Sequence, residues 1–184
     1  MDANGNKINP ADAEVNPAGF TIHSAIHLGG PNAHVIMHTH TVSGMAVAAM
    51  EEGLLPLNQI SMQFYNRVAY HDYEGISLDL DERERLVASL GDKKCLILRN
   101  HGLLTVGETV AEAFYYMYYL NKASEIQVNV LNSNAKPIIP SPEICEHTAK
   151  QFHGPFLQGN KEFQLVWEAN RRLLDRVDSS YIDI

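Results

Sequence analysis

The sequence predicts a mixed α/β domain. Short apolar runs of strand length alternate with longer amphipathic or apolar runs of helix length. The longer runs open on Asn, Ser, Thr or Asp and several close on Gly, as helix caps do. At 184 residues, 45% hydrophobic and 20% charged, the chain has the size and composition of one ordinary globular domain. It can bury a core of useful size without disulfide staples.

Residues 1–15 are polar and contain no complete folding unit, so the domain is placed at 16–184. Asn16-Pro17 sets a helix start, with Asn as cap and Pro at the first helical position. Phe20 to Leu28 reads as that helix, stopped by Gly29-Gly30-Pro31. His34 to His40 (HVIMHTH) reads as a buried strand, Val42 to Met50 as a closely packed helix ended by Gly53, and Arg67 to Tyr73 as a further strand. Asp81 caps the charged helix ERERLVASL, and Gly91 ends it. Lys94 to Arg99 is a buried strand broken by Asn100-His101-Gly102, and Leu103 to Val106 resumes extended structure. Thr109 and Glu112 form a capping box that opens the longest helix, about residues 110–133. Its aromatic stretch FYYMYY belongs in a core or an interface. A Pro-broken connector, a short helix from Ser141-Pro142 and an amphipathic helix from Glu162 to Val177 complete the chain. No regular βαβ alternation is apparent.

Fourteen basic against 22 acidic residues give a net charge of −8. This argues against sequence-independent nucleic-acid binding, which relies on basic patches. Cys95 and Cys145 form no disulfide framework or metal-ligand pair and read as reduced thiols. The N-terminus has no signal-peptide pattern, and no window approaches a membrane span. The expected setting is cytoplasmic. GxGxxG and the GxxxxGK[ST] loop are both absent, so a dinucleotide or nucleoside triphosphate site has no support.

The chemistry concentrates in the histidines. Side chains two apart on a strand share a face, so His38 and His40 point together. Such a pair offers a metal two neutral nitrogens already fixed by the backbone. His101 sits where a buried strand breaks into a Gly turn, a position from which rigid sheets present functional groups. Three histidines leave open positions on Zn²⁺, Mn²⁺ or Fe²⁺, as a Lewis-acid catalyst requires. His23 and His27, spaced i,i+4, form a rival pair better read as packing or support, and His34 shares the face of His38 as a supporting group. His71, His147 and His153 read as surface or structural.

The segments NPAGFTIHSAIH, HTHT, LPL, RVAYHDYEGI, LILRNHGLLTVG and TVAEAFYYMYYLNKASEIQ together resemble the class II aldolase/adducin superfamily, from about Asn16 to Asn132. The resemblance implies a three-layer α/β/α sandwich around a mostly antiparallel sheet, lacking the usual N-terminal portion. It implies a metal at His38, His40 and His101, zinc before manganese or iron. It also implies a small-molecule substrate and a homotetramer with sites near subunit interfaces. Aldolases, an epimerase and decarboxylases in the family share a metal-stabilised enediolate intermediate. The expected function is accordingly a metal-dependent lyase or isomerase, with a non-catalytic adducin-like binding or scaffold domain as the alternative. The substrate-binding residues remain unassigned.

One departure affects the mechanism. Aldolases of the family carry an acidic residue nineteen positions ahead of the HxH pair; here that position is Gly19, and Glu14 is the nearest upstream carboxylate. The general base is therefore unassigned, with Glu74 as the first substitute. Tyr65, Tyr70 and Tyr73 read as structural. Asn100 is either a turn residue or an orienting partner of His101. Glu82-Arg83-Glu84-Arg85 reads as a solvated helix face, and Lys93-Lys94 as a turn flank.

Overall fold

The computed structural model describes residues 2, 5–8, 14–30, 32–156 and 161–183; Pro31 lies outside them. Four strands form one sheet: β1 (Val35–Thr39), β2 (Val68–His71), β3 (Cys95–Leu98) and β4 (Gly102–Gly107). Their spatial order is β1-β4-β3-β2. β1–β4 and β3–β4 are antiparallel, whereas β2–β3 is parallel. The parallel pair needs a crossover, which is helix α4 (Glu82–Leu90). One βαβ unit therefore exists where no regular alternation was legible.

Alternation along the strands sorts the core into two layers. Leu96, Leu98, Leu104 and Val106 face one side, where Ile22, Ala25 and Ile26 of α1 (Pro17–Gly29) join Leu86 and Leu90 of α4. Cys95, Ile97 and Leu103 face the other, against Val47 and Ala48 of α2 (Val42–Ala48) and the aromatic stretch of α5 (Val110–Asn132). Tyr115, Tyr116 and Met117 are buried there, as their apolar surroundings predict. The arrangement is an α/β/α sandwich. A short α3 (Gln59–Met62), which sequence patterning did not separate, follows α2. After α6 (Pro142–Gln151) and a π-helical turn, α7 (Lys161–Val177) lays Phe163, Val166 and Trp167 against the α5 layer.

Several local expectations need correction. β1 is half-buried along its length rather than buried, because it is the edge strand beside β4. Asp81 precedes α4 but makes no capping hydrogen bond. Thr109 accepts from the Glu112 N–H at 3.1 Å, while Glu112 Oε2 accepts from the Glu108 N–H at 2.7 Å, one residue before the cap. Glu82 is buried rather than solvated, taking a hydrogen bond from Ser77 Oγ at 3.1 Å. Of the two readings left open for His71, surface or structural, the structural one holds: the ring is buried, its Nδ1 3.0 Å from Ser89 Oγ. Cys95 and Cys145 are free thiols. No helix among the described residues is long and apolar enough to cross a membrane.

Candidate metal centre

Two short segments bring three imidazoles together. The first is the end of β1. His38 shares with Ile36 the sheet face covered by α1, and the chain then turns at His40-Thr41 into α2. Thr41 caps α2 by accepting the Gly44 N–H at 3.2 Å. Its hydroxyl donates to Asn121 Oδ1 at 2.6 Å, and Ser43 Oγ donates to the same oxygen at 3.1 Å. Asn121 Nδ2 in turn donates to Glu125 Oε1 at 2.8 Å. The turn carrying His40 is thereby tied to α5.

The second segment is the tight connection between β3 and β4. Asn100 adopts φ 56°, a left-handed conformation that Asn tolerates. Its N–H donates to the Ala48 carbonyl at 3.0 Å. Asn100 is thus a turn residue; no side-chain bond from it to His101 is among the described contacts. Gly102 follows, where a Cβ would lie 2.5 Å from the Thr39 carbonyl, 3.1 Å from His40 Cδ2 and 3.4 Å from His38 Cε1. Only a residue without a side chain leaves room for the imidazoles at that point.

The ring centroids of His38, His40 and His101 stand 4.7–4.8 Å apart in all three pairs. One donor atom from each lies within 4.8 Å of the others, a set that could hold a metal ion. His38 Nδ1 is 2.9 Å from the Leu103 carbonyl, an acceptor only, so Nδ1 carries the hydrogen and Nε2 presents its lone pair. That Nε2 lies 2.8 Å from His40 Nε2. Two ring nitrogens face each other so closely only with a proton or a cation between them. A hydrogen on His40 Nε2 bridges the pair at this distance; ligands sharing a tetrahedral ion at 2.0–2.1 Å stand about 3.3 Å apart, about 0.5 Å wider than the pair here. The carbonyl bond to the second nitrogen is also the usual support for a metal-ligating histidine.

The surroundings favour neutral imidazoles, the form that binds metals. Burial lowers the His38 pKa to about 4. The Leu103 carbonyl opposes this, while His101, His40 and His23 discourage a further positive charge. Burial and then His40 also lower His101.

The other candidates fall elsewhere. His34 is exposed just before β1. His23 and His27 have centroids 6.4 Å apart, and His27 Nδ1 is bound to the Ala33 carbonyl at 2.8 Å. Glu74 is held by Arg85, with Nε 2.8 Å from Oε1. Lys94 pairs with Glu112 at 3.1 Å and Lys93 with Asp92 at 2.6 Å. Gly102 and Asn121 were missed as parts of the site. A glycine directly after a candidate ligand signals the first, and a lone Asn after an aromatic helical run is a faint signal for the second.

The profile of the family described as Class II Aldolase and Adducin N-terminal domain matches residues 1–128. The chain belongs to this family. Among solved structures, an aldolase II superfamily protein from Pseudomonas syringae superposes with a TM-score of 0.91 at 42% identity, over 98% of this chain and 72% of that one. An L-fuculose 1-phosphate aldolase from Glaciozyma antarctica PI12 gives a TM-score of 0.67 at 30% identity, over 86% and 61% of the two chains. Alpha-adducin of Rattus norvegicus is 52% identical over 124 residues, 67% of this chain and 17% of the adducin. Class II aldolase-type and adducin-type relatives thus share this fold.

Proposed function

We propose that this class II aldolase family chain is a metal-dependent lyase or isomerase acting on a small oxygenated metabolite, with His38, His40 and His101 as the metal ligands. The observation that carries the reading is the convergence of three imidazoles, with His38 Nε2 bare and 2.8 Å from His40 Nε2. Zinc suits a three-histidine site with an open position, and manganese or iron would also fit. Such an ion, when bound, polarises substrate oxygens and stabilises the oxyanion that develops next to a carbonyl. The chain's own contribution is to fix the imidazoles: the Leu103 carbonyl orients His38, Asn121 ties down the turn after His40, and Gly102 makes room for both rings.

The fuculose-phosphate aldolase likeness makes a phosphorylated ketose the first substrate to try. Zinc-loaded protein is expected to release an aldehyde from L-fuculose 1-phosphate or a related ketose phosphate, detected by a coupled reductase. His38→Ala and His101→Ala are expected to lower the rate by at least about 100-fold, since the electrostatic stabilisation is removed. The reading also carries a homotetramer, checked by light scattering.

The identity to alpha-adducin favours a second reading, a non-catalytic adducin-like module. It is supported if the protein holds no metal and turns over none of a panel of sugar phosphates, keto acids and hydroxy acids.

A further inference from the structure

We infer that His71 is a positioning residue of the metal centre: with Glu82 and Glu74 it holds one water molecule against the outer ring nitrogen of His101. The inference rests on the reading of His38, His40 and His101 as metal ligands.

The fold brings the two histidines to one end of the sheet. His71 is the last residue of β2 and pairs with Leu98 of β3, three positions before His101. The Arg99 N–H donates to the His71 carbonyl at 2.8 Å, which fixes the end of β2 beside the β3–β4 turn. A cavity of about 10 Å³ is lined by both histidines, together with Glu74, Ser77, Glu82 and Leu98 among others. That is room for about one water molecule and too little for a substrate.

The polar groups around this cavity are those of a water site. His71 is 5% exposed, and its Nδ1 lies 3.0 Å from Ser89 Oγ. Its Nε2 is buried without a hydrogen-bond partner, while Glu82 Oε1 and Glu74 Oε1 stand 3.4 and 3.9 Å away. Buried polar nitrogens are paired as a rule, with protein or with ordered water. His101 has a matching need. One of its ring nitrogens belongs to the cluster that could hold the ion, so the other points away from it. His38 satisfies its second nitrogen on the Leu103 carbonyl at 2.9 Å. The His101 ring makes no hydrogen bond among the described residues. A metal-ligating histidine ordinarily gives that second N–H to a carbonyl, a carboxylate or a water.

One water meets both needs, and its hydrogens balance. It accepts the outer N–H of His101 and the Nε2–H of His71, and it gives its own two hydrogens to the carboxylates of Glu82 and Glu74. Ser89 Oγ then donates to His71 Nδ1, in keeping with a hydrogen on Nε2. Both carboxylates are held in place, Glu82 by Ser77 Oγ at 3.1 Å and Glu74 by Arg85 Nε at 2.8 Å. The result is a His101 whose hydrogen stays on the outer nitrogen, leaving the inner one bare for the ion.

The test compares the full chain with three variants. His71→Leu removes the ring nitrogens. His71→Gln carries an amide N–H that reaches the place of Nε2. Val87→Ala loosens α4 on its α1 side and leaves the cavity alone. Zinc is the probe. In a chelator competition His71→Leu is expected to bind zinc about 10–100-fold more weakly, His71→Gln to regain most of that loss, and Val87→Ala to stay within about 3-fold of wild type. A purely structural role would lower the melting temperatures of His71→Leu and Val87→Ala and leave the zinc affinity of both unchanged. A crystal structure of the wild type is expected to show one ordered water within hydrogen-bond distance of His71 Nε2 and of the His101 ring. Affinity of His71→Leu within about 3-fold of wild type overturns the proposal. So does a His71→Gln variant no better than His71→Leu, or a cavity without that water. Where His71→Leu does not fold, the crystal structure decides alone. If the wild type takes up no zinc, the metal reading fails. The crystal structure then decides the link separately: a water shared by the two rings keeps it, and its absence overturns it.

Discussion

Gly102 shows how much of the candidate site depends on one missing side chain. A methyl there would sit 2.5 Å from the Thr39 carbonyl and within 3.4 Å of both His40 and His38. Overpacking of this kind costs about 1–3 kcal/mol. Gly102→Ala is therefore expected to lower the melting temperature and to reduce zinc binding, read by calorimetry and by metal analysis of the same sample. Retention of both would mean that β1 yields without disturbing the imidazoles. The HxH pair and His101 were legible in the sequence, because strand periodicity puts His38 and His40 on one face. The role of Gly102 was not, since it depends on the register that sets β4 beside β1, and register is a tertiary property. Asn121 was hidden for the same reason: its bonds to Thr41 and Ser43 span 80 and 78 positions.

At the scale of elements, the site stands at the end of the edge strand β1 and at the β3–β4 turn, both held by buried neighbours. β3 is buried on both faces, and Leu96 and Ile97 are wholly inaccessible. Leu96→Ala is expected to destabilise the protein by about 2–5 kcal/mol, measured by urea unfolding. Asn121→Ala removes the acceptor shared by Thr41 and Ser43, leaving the turn after His40 untied. A loss of about 1 kcal/mol of stability is expected, together with weaker zinc affinity in a chelator competition. Unchanged affinity would show that α2 holds the turn without α5. The strand at Arg67 to Tyr73, the helix after Asp81 and the strand at Lys94 to Arg99 were each legible, but their parallel pairing was not, because which strands pair, and in which direction, is a tertiary property. The capping pattern at Thr109–Glu112 was legible, yet the return bond goes to Glu108, which backbone geometry decides locally.

For the molecule as a whole, two helical layers enclose one sheet, and the histidine cluster lies where the edge strand β1 ends beside the β3–β4 turn. The composition and the long aromatic α5 made an α/β core legible, and the family resemblance supplied the three layers. The burial of Glu82 and His71 was not legible, because pairing a carboxylate with Ser77 inside the fold has no local signature. The central claim is that the cluster of His38, His40 and His101 is a metal site. The direct measurement is metal content per chain, by inductively coupled plasma mass spectrometry, on protein purified without a histidine tag. The account predicts close to one zinc, manganese or iron per chain, lost in both His38→Ala and His101→Ala while each variant stays folded by circular dichroism. Wild-type protein without metal after soaking, or metal retained in both variants, would contradict it.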